Sequence, residues 1–115
     1  MLTVYGIPNC DTMKKARKWL ADNEIEYVFH DYKKQGIDRK TLVSWEKKVG
    51  WEILLNRRGM MWRKLTDEQK AHLDKASAIE IMLDIPSIIK RPVLVTGDGD
   101  ILVGFNEDQY RQLLV

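Results

Sequence analysis

The sequence predicts an α/β domain: a β-α-β unit, then a block of helices, then a β-hairpin and a closing helix. Three observations carry this. Strand-like and helical patterns alternate over the first 31 residues, no strand pattern occurs over residues 51–85, and two apolar runs near the end flank a Gly/Asp turn.

Taken in order, residues 2–5 read as a short buried strand. Over residues 11–23, Met13, Ala16, Trp19 and Leu20 recur at helical spacing, with Asp11 or Thr12 as cap and Asn23 as stop. Residues 27–31 read as a second strand. A helix between two strands makes a right-handed crossover, so the two are expected as parallel neighbours. Gly36 breaks the chain. Asp38 is expected to cap a helix whose apolar face is Leu42, Trp45 and Val49, with Gly50 at its end. Residues 51–55 read as a helical turn, and Thr66-Asp67-Glu68 as a capping signal. Residues 76–83 make a further helix, with Ala78, Ile79, Met82 and Leu83 on one side and Pro86 ending it. This block, about residues 36–87, is too rich in Trp, Leu and Ile to be a disordered linker and reads as an insertion. Residues 92–96 and 101–103 form a hairpin about Gly97-Asp98-Gly99-Asp100. Residues 107–114 close the chain as a helix with Tyr110, Leu113 and Leu114 facing in.

At 115 residues the chain is long enough for one domain with a hydrophobic core, residues 1–115. Apolar residues make up 44% and charged residues 31%, ordinary for a globular protein. A net charge of +2 points to no polyanion, so no nucleic-acid partner is expected. No run of about 18 apolar residues occurs, so no membrane span is expected, and the first residues lack the layout of a signal peptide. One cysteine cannot build an internal disulfide, and the expectation is a reducing compartment, the cytoplasm.

That cysteine, Cys10, stands in "GIPNCDT", at the join of the first strand and first helix. Unpaired N–H groups and the helix dipole favour a thiolate there, and the thiolate is the nucleophile. Lys14 and Lys15 add positive potential, while Asp11 opposes it. Against this stands a small apolar residue filling a turn. In "IIKRPVLV", Pro92 opens a strand after Arg91. Proline is tolerated at that position, and the X-Pro bond is where a cis peptide is affordable. The alternative is a trans proline with Arg91 solvated. In "LLNRRGMMWRK", Arg57, Arg58, Arg63 and Lys64 surround Trp62. This reads as nucleic-acid contact, as an anion site, or as a solvated turn, the last favoured for Arg57, Arg63 and Lys64. His30 and His72 have no metal-ligand spacing with Cys10, and no metal is expected.

These segments together resemble the arsenate reductase ArsC/Spx family, in particular its YffB-like branch. "YGIPNCDTMKKARKWL" is similar to the family's nucleophile loop and first helix, "LLNRRGMMWRKL" to its arginine-bearing segment, "IIKRPVLV" to its arginine–proline segment, and "LVGFNEDQY" to the start of its last helix. The likeness runs nearly end to end. It implies a thioredoxin-like fold with a helical insertion between the second and third strands, a reactive Cys10, and a cis bond before Pro92. Arsenate-reducing members resemble a cysteine among three arginines. Arg91 and Arg58 carry over, with Arg57 left open beside Arg58, but the third position reads Val103-Gly104-Phe105. The Cys-x-x-Cys switch of Spx-type regulators is absent, because Met13 stands where the second cysteine would be.

A single thiol that turns over takes its second sulfur from outside, and glutathione is the expected co-substrate. Its carboxylates suit Arg91, Arg58 and the first helix turn at Thr12 and Lys14. The leading expectation is a glutathione-coupled thiol oxidoreductase, with no bound cofactor and a glutathionylated or disulfide substrate, Cys10 being recycled by glutathione or a glutaredoxin. The alternatives are arsenate reduction by the same cysteine, and a non-enzymatic Spx-like adaptor for a protein such as RNA polymerase. Met60, Met61 and Trp62 would be the adaptor's contact surface, but are expected instead as core beneath the insertion.

Overall fold

Alternation of apolar Leu2 and Val4 with half-buried Thr3 and Tyr5 makes Leu2–Gly6 the first strand, β1. The computed structural model describes residues 1–115. It divides them into two units, one formed by Met1–Tyr32 with Arg91–Val115 and the other by Lys33–Lys90.

In the first unit, β1 is followed by helix α1 (Asp11–Asp22), which ends at Asn23, and by strand β2 (Tyr27–Asp31). After the second unit come β3 (Val93–Val95), β4 (Ile101–Val103) and a last helix over Glu107–Leu114. The sheet order is β2-β1-β3-β4. β1 and β2 are parallel, as the crossover rule requires. β3 runs antiparallel to β1, and β4 antiparallel to β3. This is the thioredoxin-like arrangement that the resemblance implies.

Helix α1 buries the predicted stripe, Met13, Ala16, Trp19 and Leu20, against Leu2, Val4, Leu94 and Tyr110. Trp19 meets Tyr110 edge-on at 5.7 Å. Burying one such large side chain contributes roughly 1.5–3 kcal/mol, so this cluster anchors α1 to the sheet. The closing helix is inward mainly through Tyr110, whose hydroxyl donates to the Gly104 carbonyl at 3.0 Å. Leu113 and Leu114 are only half-buried.

The insertion follows its caps. Helix α2 (Tyr32–Gln35) leads into α3 (Arg39–Val49), whose N-cap Asp38 accepts from the Thr41 N–H at 2.7 Å and whose C-cap Gly50 has φ +86°. An L side chain would be strained at that φ, and glycine at position 50 avoids the strain. Short helices α4 (Trp51–Leu54), α5 (Met60–Arg63) and α6 (Asp67–Ala71) follow, the last opened by a Thr66–Gln69 capping box. Helix α7 (Lys75–Asp84) is opened by a second box between Asp74 and Ser77. Its buried residues are Ala78, Ile79, Ile81 and Met82, so Ile81 takes the inward place expected of Leu83. Pro86 does more than stop this helix: it opens a 3₁₀ turn, Pro86–Ile88. The antiparallel bridge Leu55↔Ile89 and the Lys90 N–H to Leu54 carbonyl bond at 2.7 Å tie the insertion's middle to its end.

One expectation fails here. Met60 is not core but 70% exposed, and Met61 and Trp62 are half-buried. The α5 turn spans only four residues, too few to turn a whole apolar face inward. No helix of the chain is long and apolar enough to cross a membrane.

Candidate functional site

Strand direction assembles the site. β1 and β2 are parallel, so their carboxyl ends share one edge of the sheet, and antiparallel β3 begins at that edge. Tyr5 marks the spot, paired with His30 on one side and Val93 on the other. Three chain segments leave or enter there: the loop carrying Cys10, the turn at Tyr32, and Arg91-Pro92. Crevices beyond the carboxyl ends of parallel strands are recurrent ligand sites.

Cys10 is itself the N-cap of α1, with extended backbone (φ −132°, ψ 131°), and its carbonyl accepts the Lys14 N–H at 2.9 Å to start the helix. The expected caps, Asp11 and Thr12, lie inside the helix instead. The sulfur makes no capping hydrogen bond of ordinary geometry, yet the helix N–H groups act on its charge. Partial burial is the strongest single influence and pushes the thiol pKa up. It is outweighed by the Met13 N–H, the Arg91 charge, the Thr12 N–H and a hydrogen bond from the Arg91 side chain, so the net direction is downward. The thiolate is therefore favoured more than in a free cysteine, by the helix N–H groups of Met13 and Thr12 and by Arg91 rather than by the exposed Lys14 and Lys15.

Packing between Gly6 and Met13 holds this loop. Gly6 ends β1 directly beneath Met13. A Cβ at Gly6 would lie 2.8 Å from the Met13 Cε, so a side chain there would force the Met13 thioether to move. Met13 is fully buried, which gives a packing role to the position where Spx-type chains resemble a second cysteine.

The Arg91-Pro92 peptide is cis, and Pro92 is fully buried while Arg91 is half-exposed. The Pro92 carbonyl accepts the Gly104 N–H at 2.8 Å. Gly104 is buried at φ +83°, a conformation that L side chains rarely adopt. The third family arginine is thus missing, and the local backbone suits glycine.

The sequence reading overlooked the aromatic group at the same edge. The rings of Tyr5 and His30 lie 4.7 Å apart, Tyr32 stacks on Tyr5 at 6.4 Å, and His30 meets Tyr32 at 6.2 Å. The signal was present as Tyr5, His30 and Tyr32 at strand ends, but it looked like ordinary strand composition.

The remaining site residues fall as follows. Thr12 offers its backbone N–H to Cys10, while its side chain is exposed. Lys14 is exposed on α1. Arg58 belongs to the insertion, where its N–H donates to the Asn56 Oδ1 at 3.0 Å and its side chain is exposed. Its neighbour Arg57 lies 5.7 Å from the rings of both Trp51 and Trp62. Arg57 thus lies against rings of its own unit, and both arginines are exposed.

Residues 5–113 match the model of the ArsC family. The solved structure of the YFFB protein is 54% identical, covers 100% of both chains and superposes with a TM-score of 0.96. An arsenate reductase (ArsC) related protein from Brucella melitensis is 55% identical over 96% of this chain and 92% of its own, with a TM-score of 0.78. A global transcriptional regulator Spx of Streptococcus pyogenes is 28% identical over 99% of this chain and 85% of its own length.

Proposed function

The chain belongs to the ArsC family, and from that premise we propose that it is a thiol oxidoreductase coupled to glutathione, with Cys10 as nucleophile. The observation that carries this reading is Cys10 at the start of α1 with Arg91 beside it, where N–H groups and a guanidinium favour the thiolate.

The cycle balances with one cysteine. The Cys10 thiolate attacks the sulfur of a mixed disulfide between glutathione and a substrate thiol. The S–S bond breaks, the substrate sulfur leaves with the electron pair, and a Cys10–glutathione disulfide forms. A second glutathione thiolate then attacks the glutathione sulfur of that disulfide. Oxidised glutathione leaves and the Cys10 thiolate returns. Each cycle consumes one free glutathione thiol, and the electron pair ends on the released substrate sulfur. Arg91 serves twice, favouring the thiolate and offering charge-assisted hydrogen bonds to a glutathione carboxylate. Thr12 and Lys14 complete the proposed binding set, and a glutaredoxin is an alternative recycler.

The test is glutathione consumption with bis(2-hydroxyethyl) disulfide as substrate. The wild type should turn over saturably and Cys10→Ser should not. A wild type no faster than the uncatalysed exchange contradicts the proposal.

A second reading, a Spx-like adaptor, is favoured by large apolar side chains on the insertion surface, Met60 at 70% and Ile53 at 55% exposure. Cys10→Ser separates the two: an adaptor keeps its protein partner and an enzyme loses its activity.

A further inference from the structure

The Tyr32 hydroxyl is buried and has no hydrogen-bond partner within the chain. Such a group is costly to leave unmade. Its residue is only 4% exposed, and its ring is fixed by stacking on Tyr5 and by the edge of His30. Tyr32 directly follows β2, so it stands at the sheet edge where the Cys10 loop and Arg91 also meet. Its electrostatic neighbours are the Tyr5 phenol and the Arg91 guanidinium. Arg91 in turn donates toward the Cys10 sulfur.

We propose that Tyr32 is a substrate-positioning residue whose hydroxyl donates to an anionic group, a carboxylate of the thiol substrate, held between it and Arg91 beside Cys10. This rests on the reading of Cys10 as the reactive thiol and adds that the site selects anionic substrates. Burial keeps the phenol protonated, its pKa pushed far above the ordinary value, so toward an anion it acts as a donor at every working pH. The guanidinium supplies charge and the phenol supplies direction. A carboxylate satisfies both, whereas a neutral group of the same size leaves the guanidinium without a counter-charge. In the unliganded chain the hydroxyl is sealed from solvent, so the incoming anion takes its place between the two donors as Arg91 shifts.

Two alkylating probes of nearly equal size test this: iodoacetate, which carries a carboxylate, and iodoacetamide, which is neutral. Each forms a carbon–sulfur bond to the Cys10 thiolate, and iodide leaves with the electron pair. The readout is the ratio of the two rates, normalised to the same ratio in the urea-unfolded chain. The wild type should favour iodoacetate. Tyr32→Phe, which keeps the ring and removes only the hydroxyl, should lower that preference roughly tenfold, the size of one hydrogen bond to a charged group, with the iodoacetamide rate unchanged. Its melting temperature should be equal to or above that of the wild type, because an unpartnered buried hydroxyl has been removed. An unchanged ratio, or equal slowing with both probes, overturns the role of Tyr32 and leaves the reading of Cys10 standing. A wild-type Cys10 that reacts with neither probe overturns both.

Discussion

Arg91 donates a hydrogen bond toward the sulfur of Cys10 and sets a positive charge beside it. The two residues come from opposite ends of the chain and meet because antiparallel β3 begins at the edge where β1 finishes. The strand order thus does chemical work: it places a cation beside a thiol already at a helix start.

Removing that cation should raise the thiol pKa. Arg91→Gln keeps much of the side-chain length and removes the charge. The rate of alkylation by iodoacetamide against pH should shift its midpoint upward, toward the free-cysteine value of about 8.5. Lys14→Ala should shift it little, since neither Lys14 nor Lys15 is among the groups that act on Cys10. A larger shift for Lys14→Ala than for Arg91→Gln would contradict this account.

The same shift makes stability depend on pH. The folded-state pKa of Cys10 lies below its unfolded value. Between the two, the unfolded chain holds the proton and the folded chain does not, so stability rises with pH in that window. The gain is complete above about pH 8.5 and is lost as pH falls through the folded value. The melting temperature of the wild type relative to Cys10→Ala should therefore increase with pH and then level off. A flat or falling difference would contradict the lowered pKa.

Gly6 and Met13 are coupled by contact. Gly6→Ala should destabilise by about 1–3 kcal/mol, the usual cost of overpacking, because Met13 is fully buried and its thioether has little room to retreat. Met13→Ala alone should cost about 2–5 kcal/mol. The double variant should cost clearly less than the sum, since the smaller side chain makes room for the new methyl. Strict additivity in chemical denaturation would refute the contact.

Gly104→Arg restores the missing family arginine in sequence but not in geometry. At φ +83° a side chain costs roughly 1–2 kcal/mol, and the residue is buried. The variant should melt lower than the wild type and gain no arsenate turnover with glutathione and a glutaredoxin. The wild type itself should turn arsenate over weakly, having no arginine at this position. Efficient turnover by either protein would show that two arginines suffice or that the loop readily remodels.

Local chemistry was legible in the sequence. Asp38, Gly50, Thr66 and Asn23 each mark a helix end through their own side chain or backbone, and each does so in the structure. The parallel pairing of β1 and β2 followed from the intervening helix. What depends on distant neighbours was not legible. Cys10 as the cap was hidden because Asp11 and Thr12 are better caps by residue type. The charge of Arg91 at Cys10 and the unpartnered hydroxyl of Tyr32 arise only when the sheet brings strand ends together, and the fit of Met13 over Gly6 only when α1 packs on β1. Met60 was read inward from its apolar character, although four residues of α5 cannot bury every side.

The most direct test of the central claim is the intact mass of the protein after exposure to oxidised glutathione near neutral pH, followed over time beside the urea-unfolded chain. A reactive Cys10 predicts that the folded chain takes up one glutathione faster than the unfolded chain, that a reductant removes it, that Arg91→Gln slows the uptake, and that Cys10→Ser takes up none. A folded chain that remains unmodified, or that reacts no faster than the unfolded one, would contradict the claim.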